Sequence, residues 1–232
     1  MKALELLVAA LAASPLIASA STLTFDLDTV FTGGTPGGTT PWITAVFDDS
    51  LDAFGADGVQ LKLTAANLLP GEFVTQWAFN LNTALIATDL TFTQVTNATT
   101  GLVVPGGIST SVNAENALGA NGLKNFDITF NFPGKNQPAG NRFELGDVFI
   151  VDISRVGGLV AGDFDYINVL NGVAHTGAHI QGIYGMGEDS SKIVGDGGGG
   201  GGGSIPEPST YAAFAGLAAL ALGFGRRRQA IG

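Results

Sequence analysis

Apolar and polar residues alternate with a period of two in several separate stretches of this chain. Leu23, Phe25 and Leu27 alternate with Thr24, Asp26 and Asp28. Val59, Leu61 and Leu63 alternate with Gln60 and Lys62. Phe73, Thr75, Trp77, Phe79 and Leu81 interleave with Val74, Gln76, Ala78 and Asn80. Phe126, Ile128, Phe130 and Phe132 do the same with Asp127, Thr129 and Asn131, and Phe149, Val151 and Ile153 share one side of a further run. Successive side chains of a strand point to opposite faces, so each run predicts a strand with one face inward. Weaker patterns cover residues 43–47, 90–95, 164–170 and 178–183. Between the runs lie clusters such as Gly33-Gly34-Thr35-Pro36-Gly37-Gly38 and Pro133-Gly134-Lys135-Asn136, which carry turn chemistry. No long helical period exists between 21 and 194; residues 113–118 predict at most a short turn. Roughly eight to ten strands with one apolar face each must pair those faces, and two packed sheets do so. The expected fold is therefore all-β, an antiparallel β-sandwich of jelly-roll type. The absence of a fixed repeat argues against a propeller or β-helix.

The two ends have a different grammar. Lys2 is followed, after Glu5, by an apolar run over 6–17 and then by Ala18-Ser19-Ala20. This is the layout of a secretory signal helix over 1–20, with small residues Ala18 and Ala20 where signal peptidase reads them, so the mature chain begins at Ser21. Near the other end, Gly197 to Gly203 form an unbroken run of glycine. Their backbone entropy suits a flexible linker, assigned to 195–204, and leaves the β domain at 21–194. Pro206-Glu207-Pro208-Ser209-Thr210 come next, then an apolar stretch over 211–224, then Arg226, Arg227 and Arg228. The apolar stretch alone is shorter than the ~20 residues that span a bilayer comfortably, but 208–225 comes close. The arginines predict a stop to translocation, with their side of the helix remaining cytoplasmic.

Pro206-Glu207-Pro208-Ser209-Thr210, a short apolar helix and a terminal arginine cluster resemble the PEP-CTERM sorting signal over residues 205–229. The resemblance implies export across the inner membrane of a bacterium with two membranes. It implies recognition by exosortase, a membrane-embedded cysteine transpeptidase, with cutting near the Pro-Glu-Pro motif. The chain is then a substrate of that enzyme, and its body goes to the cell surface or extracellular matrix, where such proteins accompany exopolysaccharide and biofilm. Physically, two prolines prevent a helix and hold Glu207 in an extended segment just outside the bilayer.

Composition narrows the role of the middle. Of 232 residues, 45% are hydrophobic and only 13% charged. That excludes a coiled coil and argues against disorder. Setting aside Lys2, Glu5, Glu207 and the three tail arginines leaves 18 acidic against 6 basic residues, a net charge of −12 over 21–204. Such a domain repels phosphates, which excludes a nucleic-acid partner. It has no cysteine, so disulfides are absent despite the oxidising destination.

Candidate chemistry is sparse, and the expected protein is not an enzyme. There is no Gly-x-Ser-x-Gly elbow, and the histidines are His175 and His179 alone. Their glycine-rich setting argues against a shared helix face, and four residues of strand separate ring positions by about 13 Å. Glu188 and Asp189 are the nearest further metal ligands, and ordinary hydrogen bonding is the plainer reading of both histidines. Calcium has a better case at Asp48, Asp49, Asp52 and Asp57, and a lesser one at Asp163 and Asp165 if these lie in a strand. No other cofactor is implied. Carbohydrate binding is the alternative function, alone or as a calcium-dependent adhesive module, with Trp42 and Tyr184 as candidate sugar-contacting rings. A secreted glycoside hydrolase, which requires two carboxylates across a cleft, is a further alternative.

Overall fold

A computed structural model of the chain describes residues 21–50, 58–95, 108–114, 118, 123–136, 138, 141–167, 174–183 and 189–196. The strands are β1 (Thr22–Gly33), β2 (Ile43–Asp48), β3 (Gly58–Thr64), β4 (Phe73–Phe79), β5 (Thr91–Gln94), β6 (Ser109–Ala114), β7 (Phe126–Asn131), β8 (Phe143–Glu144), β9 (Val148–Ser154), β10 (Thr176–Gln181) and β11 (Ser190–Asp196). Two single 3-10 turns, Ala87–Asp89 and Ala161–Phe164, complete the regular structure of the described residues. The alternating runs become β1, β3, β4, β7 and β9, and the weaker patterns at 43–47, 90–95 and 178–183 overlap β2, β5 and β10. The pattern beginning at Phe164 does not form a strand there: Phe164 closes the second 3-10 turn. Its ring is fully buried and stacked on Phe47 at 4.1 Å, so it is apolar because it plugs the core from a turn. Asn113 and Ala114, expected in a turn, belong to β6. The signal helix and the tail helix lie outside the described residues.

The architecture is all-β and antiparallel, as the alternation predicts. The finer expectation of two sheets is replaced by one hydrogen-bonded path. The strands follow the order β5-β9-β3-β2-β1-β11-β10-β4-β7-β6, with β8 added beside β4. β1 is long enough to serve both halves. Its first residues pair with β2, from Thr22 opposite Asp48 to Leu27 opposite Ile43, while Asp26 to Gly33 pair with β11. Register shifts after Leu27 and Val30 mark irregularities along this seam, and such bulges bend and twist a strand. The two ends of the path approach each other through side chains. Phe92 on β5 meets Phe130 on β7 at 5.9 Å, and Phe130 meets Phe149 on β9 at 5.8 Å. The sheet is thus nearly closed, and its concave side holds one core.

That core is aromatic at its centre. Phe47 lies edge-on to Phe25 at 6.0 Å and to Phe79 at 5.2 Å, and Phe79 in turn stacks on Trp77 at 6.0 Å. These offset and edge-on arrangements add to the burial of large rings. Trp77 also needs a polar partner, and its indole N–H donates to Thr176 Oγ1 at 3.0 Å. On the opposite face of β4 and β11, Ala78 and Val194 are covered by Leu118, Leu123, Phe126 and Ala174. β11 runs to Asp196, so Gly195 and Asp196 belong to the sheet, opposite Leu27 and Asp26, and the domain extends past the expected boundary at 194.

Candidate functional site

An open cleft of about 480 Å³ lies where the start of β4, the β7–β8 loop, the end of β10 and the start of β11 meet. Pairing of β8 with β4 sets Phe143 opposite Val74 and Glu144 opposite Phe73, which brings Arg142 beside Phe73. The Arg142 guanidinium sits 4.5 Å from the Phe73 ring centroid, and its Nη2 donates to the Lys135 carbonyl at 3.1 Å. Arg142 is therefore held in place, with its guanidinium over the Phe73 ring in the cleft lining. Lys135, Gln181, Ser190 and Asp189 supply the other polar groups of the lining. Two of the six cations of residues 21–204 meet here, in a domain of strong opposite charge. Among the described residues the lining brings together two basic side chains, an amide, a hydroxyl and one carboxylate. That set suits an anionic, hydroxylated ligand. The one carboxylate of the described lining residues is Asp189. Among the described residues, burial pushes up the carboxyls of Asp127 and Asp147, which sit outside this lining and take N–H bonds from Leu81 and Glu144.

The other candidate residues have structural employment. Asp49 Oδ2 accepts from Ser21 Oγ at 2.7 Å and from Ala161 N at 2.9 Å, while Oδ1 takes the Ser21 N–H. Asp48 Oδ1 accepts from the backbone N–H of Ser50 at 2.8 Å and also from its hydroxyl. Asp52 and Asp57 lie outside the described residues. Asp163 and Asp165 do not share a strand face, because the 3-10 turn intervenes. Asp163 accepts from Val160 N at 3.1 Å and Asn82 Nδ2 at 3.0 Å, and Asp165 pairs with His175 at 3.3 Å. Among the described residues no group of three or more His, Asp or Glu side chains is placed to hold a metal ion. His179 is on β10 opposite Lys192, with its Nδ1 at 3.0 Å from Thr75 Oγ1. Burial holds its imidazole below the ordinary histidine range, and the Lys192 charge adds to this. The two histidines thus have separate partners.

Trp42 requires a correction. It is 4% exposed and belongs to the core, with its indole N–H donated to the Gly38 carbonyl at 3.0 Å. The inward row of β2 is Ile43, Ala45 and Phe47, whereas Trp42 precedes the strand in phase with the half-buried Thr44 and Val46, so its ring enters the core from the turn before β2 and not through strand phase. Tyr184 and Glu188 lie outside the described residues, as do Ala18, Ala20, the segment from Pro206 to Thr210 and Arg226 to Arg228. The cleft residues themselves escaped sequence reasoning because they are scattered from 135 to 190. The one usable signal was scarcity: in so acidic a domain, the place where cations gather is informative.

No curated protein and no solved structure shows significant similarity to the chain. Residues 204–229 match the family described as the PEP-CTERM protein-sorting motif. That match covers Pro206-Glu207-Pro208, the apolar stretch and the arginines, and it marks an exported, membrane-anchored protein sorted by exosortase. The chain is a carrier of the PEP-CTERM sorting motif, with a nearly closed antiparallel β domain assigned to no other family.

Proposed function

We propose that this is a non-enzymatic component of the cell surface or extracellular matrix, associated with exopolysaccharide after exosortase has cut its tail. The observation that carries the reading is the sorting motif at 204–229. The apolar stretch holds the tail in the inner membrane, the arginines stop transfer, and the prolines keep Glu207 extended for the enzyme. Signal peptidase and the secretion machinery are the earlier partners. Replacing Pro206-Glu207-Pro208 by three alanines should leave the full-length chain in the membrane fraction, read by immunoblot of membrane and medium. Cutting and release at the wild-type level would overturn the sorting reading.

The cleft favours a second, more specific reading, a carbohydrate-binding role. Lys135 and Arg142 suit a carboxylate-bearing glycan, with Gln181 and Ser190 available to its hydroxyls. The Phe73 face is occupied by Arg142, so recognition rests on charge and hydrogen bonds and not on stacking. Calcium dependence is the adhesive-module variant of this reading. The test is co-sedimentation of the processed protein with the host's acidic exopolysaccharide, with calcium and with chelator. Arg142→Glu combined with Lys135→Glu should weaken binding by about tenfold or more, since charge-assisted contacts contribute roughly 1.5–3 kcal/mol each. Equal binding by variant and wild type would remove the cleft from the proposal.

A further inference from the structure

Ser21 stands where the leader is expected to end, and the fold surrounds its backbone with partners. Its N–H donates to Asp49 Oδ1, its hydroxyl donates to Asp49 Oδ2 at 2.7 Å, and its carbonyl accepts the Asp49 N–H at 3.1 Å. Asp49 Oδ2 accepts a further N–H from Ala161 at 2.9 Å, in the 3-10 turn that packs on β1 and β2. One carboxylate therefore ties together the start of β1, the end of β2 and that turn. In the uncut chain the Ser21 nitrogen is a neutral amide with one hydrogen. Hydrolysis of the Ala20–Ser21 bond adds the hydroxyl of water to the Ala20 carbonyl carbon and its proton to the Ser21 nitrogen. The released amine takes another proton from solvent at neutral pH and becomes an α-ammonium with three hydrogens.

We propose that Asp49 is the receiving site for this new α-ammonium, so that removal of the leader turns a neutral hydrogen bond into an ion pair and fastens the first strand. The inference rests on the reading of residues 1–20 as a cleaved leader. Charge-assisted hydrogen bonds are roughly twice as strong as neutral ones. Serine is the fitting residue at this position, because its hydroxyl occupies the second carboxylate oxygen as its nitrogen occupies the first.

The remaining charged groups nearby do not compete for the amine. Asp48 is bonded to Ser50, Asp163 to Val160 and Asn82, and Asp165 to His175, whose ring lies 5.9 Å from Phe25 on β1. Asp26 and Asp28 lie further along β1, and β11 joins β1 only from Asp26 onward, with Asp196 there and Lys192 opposite Thr32. An ordinary α-amine titrates near about 7.7–8.0, and the carboxylate favours its charged form and raises that value in the fold. The added stability is therefore full below about 7.7 and is lost as pH climbs through the raised folded value.

The test uses the processed protein isolated from its host. Mass spectrometry identifies the first residue, and the acylation rate of its α-amine is followed from about pH 6 to 10. The expected result is a start at Ser21 and an amine that acylates about tenfold more slowly at pH 7.5 than in Asp49→Asn, which corresponds to about one unit of pKa. Asp48→Asn should leave the rate unchanged. A start at any other residue would overturn the leader reading. A start at Ser21 with an amine that reacts as in an unfolded peptide, indifferent to Asp49→Asn, would overturn the ion pair alone. Should Asp49→Asn not fold, acetylating the α-amine of the native protein decides the matter, since it removes the ammonium and leaves every side chain of the fold in place. Acetylation should lower Tm at pH 6.5, with the difference closing toward about pH 10. No difference at pH 6.5 would overturn the proposal.

Discussion

His179 shows how a single side chain couples this fold to acidity. It is half-buried on β10 with Thr75 on one ring nitrogen and Lys192 across the strand pair. Because its folded pKa is lowered, the unfolded chain binds this proton first as pH falls. Its contribution to stability is complete above about 6.5, the ordinary value, and is lost as pH falls from there toward the lower folded value. His179→Gln should therefore flatten the decline of Tm between about pH 7 and 5. Parallel declines in variant and wild type would place the titration elsewhere. Asp127 and Asp147 act in the opposite sense, since carboxyls raised by burial take up protons in the folded state first. Trp42 carries the other lesson of this scale. Strand phase set it with Thr44 and Val46, away from the inward row, but it precedes β2, and the turn that binds its indole N–H to the Gly38 carbonyl brings the ring into the core.

At the scale of elements, the close approach of backbones matters as much as side chains. Gly182 follows β10 with φ +81°, and a Cβ there would stand 2.1 Å from the Gly71 carbonyl oxygen. The neighbouring turn is held by Glu72, which is 2% exposed and accepts from Gly37 N at 2.7 Å and Leu69 N at 2.8 Å. The two backbones therefore have little room to part. Gly182→Ala should cost about 1–3 kcal/mol from the strained backbone alone and lower Tm by several degrees. An unchanged Tm would show that the β10 end relaxes freely. The strands legible in the sequence are those with a bulky inward row, such as Val59, Leu61 and Leu63 on β3. β11 was not legible because its inward row is Ser191, Ile193 and Gly195. Gly195 must stay small, since a Cβ would meet the Asp26 carbonyl oxygen at 2.6 Å. β6 was hidden for the opposite reason: it is a polar edge, with Ser109, Thr110 and Ser111 all exposed. The cleft was invisible because Lys135, Arg142, Gln181 and Ser190 become neighbours only through β4–β8 and β10–β11 pairing.

At the scale of the whole molecule, the described strands form a single sheet in a chain of strong negative charge. Self-repulsion at −12 over residues 21–204 opposes compaction and is screened by salt. Raising salt from about 20 to about 500 mM should raise the Tm of the processed protein by a few degrees, and a flat or falling Tm would mean that its acids are locally compensated. The same charge keeps copies apart in solution, and the short, polar edge strands β5 and β6 offer little to a second sheet. β11, the last strand of the domain, lies in the middle of the path between β1 and β10. A chain threaded outward from its start delivers residues 190–196 after every other strand. In the finished sheet the β1 half and the β10 half are joined through that final piece. The strand that joins the two halves of the sheet is thus the one nearest in sequence to the sorting motif at 204–229.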